Sequence, residues 1–189
     1  MSNIQLIVGL GNPGHQYEGT RHNAGFWFLD HLASLHHGIL HPENKFHGIF
    51  GRCQINEHNV YLLKPMTFMN ESGRSIQTVA QFYKIPVKNI LVAHDELDFP
   101  AGKIQLKEGG GHGGHNGLRS TIENIGEDFW RLRIGIGHPG HKDLVHSYVL
   151  TKPKADEKAD IITCIDEAVQ VMLDCVKGEF QKAMCVLHS

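Results

Sequence analysis

Residues 109–117 read GGGHGGHNG, and this stretch constrains the fold more than any other: six of its nine positions are glycine, interleaved with His112, His115 and Asn116. So much glycine is entropically costly to order. A folded chain keeps it where bare backbone is needed, at positive φ or in close approach to a ligand. Directly after it, Leu118, Ile122 and Ile125 fall at helical spacing, which predicts a helix with Asn116 as its N-cap. A glycine loop that ends at a helix N-terminus gathers free N–H groups and suits a carbonyl or anionic oxygen ligand. A flexible linker would be serine-rich and would not run straight into an apolar helical pattern.

The 189 residues, 41% of them hydrophobic, are enough for one sizeable core and are read as a single domain, 1–189. Cys53, Cys164, Cys175 and Cys185 show no C-x-x-C spacing, the pattern of reduced thiols in a cytoplasmic protein. The N-terminal MSNIQLIVGL has no basic segment ahead of a long apolar one, and no apolar run reaches membrane length, so no membrane partner is expected. Net charge is −2, but residues 155–189 hold 3 Lys+Arg against 7 Asp+Glu, leaving 15 against 13 for the rest. A body this weakly basic cannot coat nucleic acid and would hold such a partner at a focal site.

Taken in order, Ile4 to Val8 is an apolar run that feeds GLGNPG at 9–14, a buried strand entering a tight turn. The spelling fits G-x-G-x-x-G, yet Pro13 and the polar HQYEGTRH follow where a dinucleotide site needs a helix. The first helix is expected from about Asn23 to His37, with Phe26, Leu29, Leu32, Ala33 and Leu35 as its apolar face. His22 stands at its start, where the dipole favours the neutral imidazole that a general base must be. Strands at about 47–55 and 59–64 form a hairpin around NEHN and lead to KPMTFMNESG. Ser72 or Asn70 can cap the next helix, which runs to about Tyr83 with Ile76, Val79, Ala80 and Phe82 inward.

Ile90 to Ala93 reads as a central strand that ends in HDELD, so Asp95 lies where open α/β sheets place their ligands, while Glu96 and Asp98 read as solvated loop. Lys103–Lys107 and residues 130–137 read as further strands, with Arg131 and Arg133 on one face. A helix from about Asp156 to Lys177 closes the chain. The alternation predicts an α/β fold: one domain, a mixed twisted β-sheet, helices on both faces.

GLGNPG, Tyr17 with TRHNAG, KPMTFMNESG, VAHDELD, GGGHGGHNGL and RLRIGIG, in this order over nearly the whole chain, resemble the bacterial peptidyl-tRNA hydrolase family. The resemblance implies a monomeric, cofactor-free enzyme that cuts the ester between a stalled peptide and the 3′ ribose of its tRNA. It implies His22 as catalytic base, Asp95 as its partner, and Asn12, Asn70 and Asn116 as substrate-binding amides. Tyr17 and Phe68 join the substrate-binding set.

The residue chemistry agrees. No Ser or Cys lies in a G-x-S-x-G elbow, so water must be the nucleophile and a base must activate it. His22 taking the water proton, with Asp95 holding the other ring nitrogen, makes the His-Asp part of a triad. Asn70 is expected to stabilise the oxyanion, Asn116 to orient water or peptide, and Asn12 to set His22 and the substrate. Activity should rise with pH near the free-histidine value of about 6.5. For the tRNA acceptor end, Lys107, Arg133, Lys103 and Lys142 are the phosphate candidates, with Arg119 and Arg131 beside them. A non-catalytic RNA-binding protein of the same fold is the alternative, and it would have lost the base or its partner. No metal site is expected, since no H-E-x-x-H or comparable spacing occurs.

Overall fold

The computed structural model describes residues 3–188. Its strands are β1 (Leu6–Gly9), β2 (Ile39–Glu43), β3 (Gly48–Ile55), β4 (His58–Pro65), β5 (Ile90–Glu96), β6 (Ile104–Glu108) and β7 (Trp130–Gly135), in one sheet ordered β2-β3-β4-β1-β5-β7-β6. The helices are α1 (Ala24–Leu35), α2 (Ser72–Phe82), α3 (Asn116–Ile125), α4 (Val145–Val149), α5 (Ala155–Gln170), α6 (Met172–Val176) and α7 (Phe180–Leu187). β4, β1, β5 and β7 are mutually parallel, so their C-terminal ends open on one edge, while β2, β3 and β6 are antiparallel to their neighbours.

β1 and the first four residues of β5 are apolar on both faces because both faces are covered. Leu6, Val8 and Val92 pack with Ile76 and Val79 of α2 and Leu118 of α3. Ile7, Leu91 and Ala93 face the other way, toward Phe28 and Leu32 of α1 and Ile161 and Ile165 of α5. This is the expected single-domain α/β sandwich of helices about a mixed sheet.

One close approach positions the site. A Cβ on Gly25 would lie 2.4 Å from the Ala93 carbonyl oxygen, and one on Gly9 would lie 2.2 Å from that of Gly25. Only bare backbone lets the first turn of α1 touch the ends of β1 and β5.

Several details depart from the sequence expectation. Leu35 is 48% exposed and Phe82 57% exposed, so neither belongs to its helix's packed face. β2 has no signature in the sequence: its residues, ILHPE, carry Pro42 and no alternation, as an edge strand can. The last helix breaks at Val171 into α5 and α6, and α7 follows Gly178 at φ 80°. α7 is set by tertiary contact, since Phe180 stacks on Trp130 with ring centroids 3.9 Å apart.

Candidate active site

His22 lies in a short 3-10 turn, Arg21–Asn23, immediately before α1. Its Nδ1 is 2.8 Å from Oδ2 of Asp95, which is buried near the end of β5. The other carboxylate oxygen, Oδ1, is 2.8 Å from Nε2 of His115. Asn116 was the expected N-cap of α3, but it is the helix's first residue and the cap is His115. The imidazole Nδ1 of His115 accepts from the backbone N–H groups of Gly117 (3.1 Å) and Leu118 (3.2 Å), as a side-chain oxygen would in an Asn cap.

This cap fixes the tautomers. An Nδ1 that accepts two N–H bonds carries no proton, so His115 bears its hydrogen on Nε2 and donates it to Asp95. His22 donates from Nδ1 to the second oxygen, and its Nε2 keeps a lone pair with no hydrogen-bond partner among the described residues. Burial opposes the charge on Asp95, but the two imidazoles hold its carboxyl well below the usual carboxylate range. For His22, burial pulls the pKa down and Asp95, by charge and hydrogen bond, more than offsets it, so the pKa is raised above 6.5. The shift lies on the high side of the free-histidine value.

The amides are linked to the same centre. Asn23 grips Asn12 at both backbone groups, accepting from its N–H (2.9 Å) and donating to its carbonyl (3.1 Å). The Asn12 side-chain oxygen accepts from the backbone N–H of Met69 at 2.8 Å, tying the GLGNPG turn to the 3-10 turn Met69–Glu71 that carries Asn70. Asn70 is exposed, and Ser72 opens α2 with its hydroxyl on the Met69 carbonyl, so neither residue caps that helix. Asn116 is exposed and accepts from Arg119 at 3.2 Å. Phe68 is 60% exposed and Met66 38%, whereas Met69 is buried. Tyr17 is half-buried in a 3-10 turn, His15–Tyr17.

The basic candidates divide. Lys107 is exposed, and its Nζ lies 2.9 Å from where a Cβ on Gly110 would be, draped over the glycine loop. Lys103 and Lys142 are exposed as well. Arg131 is 2% exposed and cannot reach a phosphate. Its guanidinium donates to the carbonyls of Gly110, Glu127 and Phe129, so it pins the loop from beneath. Burial lowers its pKa to about 10, which leaves it charged at neutral pH. Glu96 is not solvated loop, as its sequence context suggests, but the last residue of β5, and it accepts from Arg133 Nε at 2.8 Å.

Among the described residues, His22, Asp95 and His115 have ligand atoms close enough to share a metal, within 4.8 Å of one another. The His115 cap opposes that use. Ligation through Nε2 would move the ring proton to Nδ1, against the two backbone donors already pointing at it. His112 lies apart in an exposed turn, accepting from Gly114 N–H at 2.9 Å. His94 is buried and kept neutral, its pKa pushed down to about 3 mainly by burial, with Nδ1 on the Asp95 carbonyl.

The family model described as peptidyl-tRNA hydrolase matches residues 6–189, which include every one of these residues. The chain belongs to the peptidyl-tRNA hydrolase family. A peptidyl-tRNA hydrolase from Coxiella burnetii is 55% identical over 187 residues, 98% of each chain. One from Psychrobacter cryohalolentis is 54% identical over 180 residues, 95% of this chain and 93% of that protein. The crystal structure of peptidyl-tRNA hydrolase from Acinetobacter baumannii matches with a TM-score of 0.98 at 52% identity, covering 100% of this chain and 96% of that one.

Proposed function

We propose that this chain carries out its family's reaction, hydrolysis of the ester between peptide and tRNA, with His22 as the base that activates water. The observation that carries the reading is the hydrogen-bond order about the Asp95 carboxylate: both oxygens are taken, and of the two imidazoles that hold them His115 uses its second ring nitrogen as the helix cap while His22 leaves Nε2 unengaged among the described residues.

In the proposed cycle, Nε2 accepts a proton from water as its oxygen attacks the ester carbonyl. Asp95 stabilises the resulting imidazolium without taking its proton. The tetrahedral oxyanion is met by a side-chain amide, for which Asn70 is assigned, an interaction worth about 3 kcal/mol in comparable enzymes. Asn116 and Asn12 orient water, peptide and base, and Phe68 and Tyr17 line the substrate. Collapse breaks the C–O bond, and the imidazolium returns its proton to the 3′ oxygen of the ribose. The products are a peptide carboxylate and a free tRNA, which suits recycling after stalled or aborted translation.

The acceptor end is assigned to Lys103, Lys107, Arg133 and Lys142: the three lysines are exposed, and Lys107 lies over Gly110 of the glycine loop. One catalytic domain over residues 1–189, acting as a monomer in the cytoplasm, completes the reading. It is supported by the family match over residues 6–189 and by four free cysteines. No helix among the described residues is long and apolar enough to cross a membrane.

The test is release of peptide from a defined peptidyl-tRNA by the purified chain. Turnover supports the reading, and tight RNA binding with no release would favour a non-catalytic binder instead.

A further inference from the structure

Arg133 stands out among the basic candidates because its guanidinium is held on two sides. Its Nε donates to Oε1 of Glu96 at 2.8 Å, and its central carbon lies 4.4 Å from the ring centroid of Phe99. Glu96 is in turn fixed, since its Oε2 accepts from the backbone N–H of Asp98 at 3.2 Å. Lys103 places its Nζ over the same Phe99 ring at 4.7 Å.

The loop that supplies Phe99 is itself locked to the end of β7. Ile136 N–H donates to the Glu96 carbonyl, Gly137 N–H to that of Phe99, and Gly135 N–H to that of Lys103, at 3.0, 2.8 and 2.8 Å. A Cβ on Gly135 would lie 2.3 Å from the Pro100 carbonyl oxygen, so only glycine lets this loop sit so close.

The terminal nitrogens of Arg133 have no hydrogen-bond partner among the described residues. A guanidinium gripped at Nε, with its face on a ring, presents those two nitrogens as a fork, the geometry that meets two oxygens of one phosphate. Without the grip, a long side chain loses its rotamer freedom at the moment of binding, and affinity falls accordingly.

We infer that Glu96 and Phe99 are positioning residues that bracket Arg133 and aim its terminal nitrogens at an RNA phosphate of the substrate. The inference rests on the proposal that Arg133 contacts tRNA.

The experiment is steady-state hydrolysis of peptidyl-tRNA across a salt series, with thermal unfolding recorded for every variant. Arg133→Ala should raise KM with kcat near the parent's and flatten the salt dependence. Glu96→Ala should raise KM about 3- to 10-fold, in the same direction, with kcat retained. Glu96→Gln keeps an acceptor for Nε and should restore most of that loss. Phe99→Leu should give a smaller rise without touching the neighbour of Asp95. In the Glu96→Ala/Arg133→Ala double variant the Glu96 change should add nothing, because it acts only through Arg133.

A parental KM in Glu96→Ala and Phe99→Leu, beside a raised KM in Arg133→Ala, would overturn the bracket and leave the RNA contact standing. Additive effects in the double variant, or a loss in Glu96→Ala confined to kcat, would also overturn it. A parental KM and salt slope in Arg133→Ala would instead remove the RNA contact, and the bracket with it.

Discussion

His22 and His115 hold opposite oxygens of a single carboxylate, each at 2.8 Å from Asp95, with their ring centroids 5.0 Å apart and the rings tilted by 49°. The second histidine leaves Asp95 one way to point, and it is anchored by a helix cap. The position of the base is therefore tied to the first turn of α3 and, through it, to the glycine loop.

His115 thus has two separable roles, and two variants divide them. His115→Asn supplies a good cap without reaching Asp95, so stability should hold while kcat falls. His115→Ala should lose both, with about 1 kcal/mol of stability gone for the cap. Thermal unfolding beside single-turnover rates reads the two effects apart. Equal kcat in the parent and His115→Asn would show that the second grip on Asp95 is idle.

The pH profile follows from the base having to be neutral. Because Asp95 raises the His22 pKa, the acid limb of kcat/KM should have its midpoint above about 6.5, and activity should climb through it as pH rises. In Asp95→Asn burial remains while its counterweight is gone, so the midpoint should fall. The rate at the plateau should also drop by about 100- to 10,000-fold as the tautomer is lost. A midpoint that stays where the parent has it would separate the titration from His22.

Arg131 is predicted to act on structure. Arg131→Met strips three carbonyls of a charged donor and should lower stability by about 2–3 kcal/mol, with the glycine loop exchanging amide hydrogens faster. The salt dependence of KM should keep its slope, since no phosphate contact is lost. A flattened slope in a folded variant would return Arg131 to the RNA face.

The tautomer of His115 predicts that hydrolysis survives exhaustive dialysis against a chelator. His112→Ala should also leave turnover near the parent's. Activity lost on chelation and recovered with Zn²⁺ would contradict the hydrogen-bond order derived for Asp95.

Much of this was legible from residues alone, and what was not has a common physical cause. The buried strands Leu6–Gly9 and Ile90–Glu96 announce themselves as apolar runs, and His22 and Asp95 stand at the ends of recognisable elements. Pattern reading fails where partners come from far along the chain. Arg131 is alternating and charged like a solvated strand residue, and its bond to the carbonyl of Gly110, 21 residues away, is what no local pattern announces. Asn116 has the better capping propensity, yet Asp95 draws His115 into the cap. The grip of Glu96 on Arg133 spans 37 positions and leaves no local signature. β2 and α7 were missed for the same reason, since β3 and Trp130 determine them more than their own composition does.

The most direct measurement is single-turnover release of peptide from peptidyl-tRNA by His22→Ala, with thermal unfolding to establish that the variant is folded. Loss of the base predicts a rate lower by about 100- to 10,000-fold, with peptidyl-tRNA binding retained. A folded His22→Ala that kept more than about a tenth of the parental rate, well outside the scale of general-base catalysis, would contradict the assignment of His22 as the group that activates water.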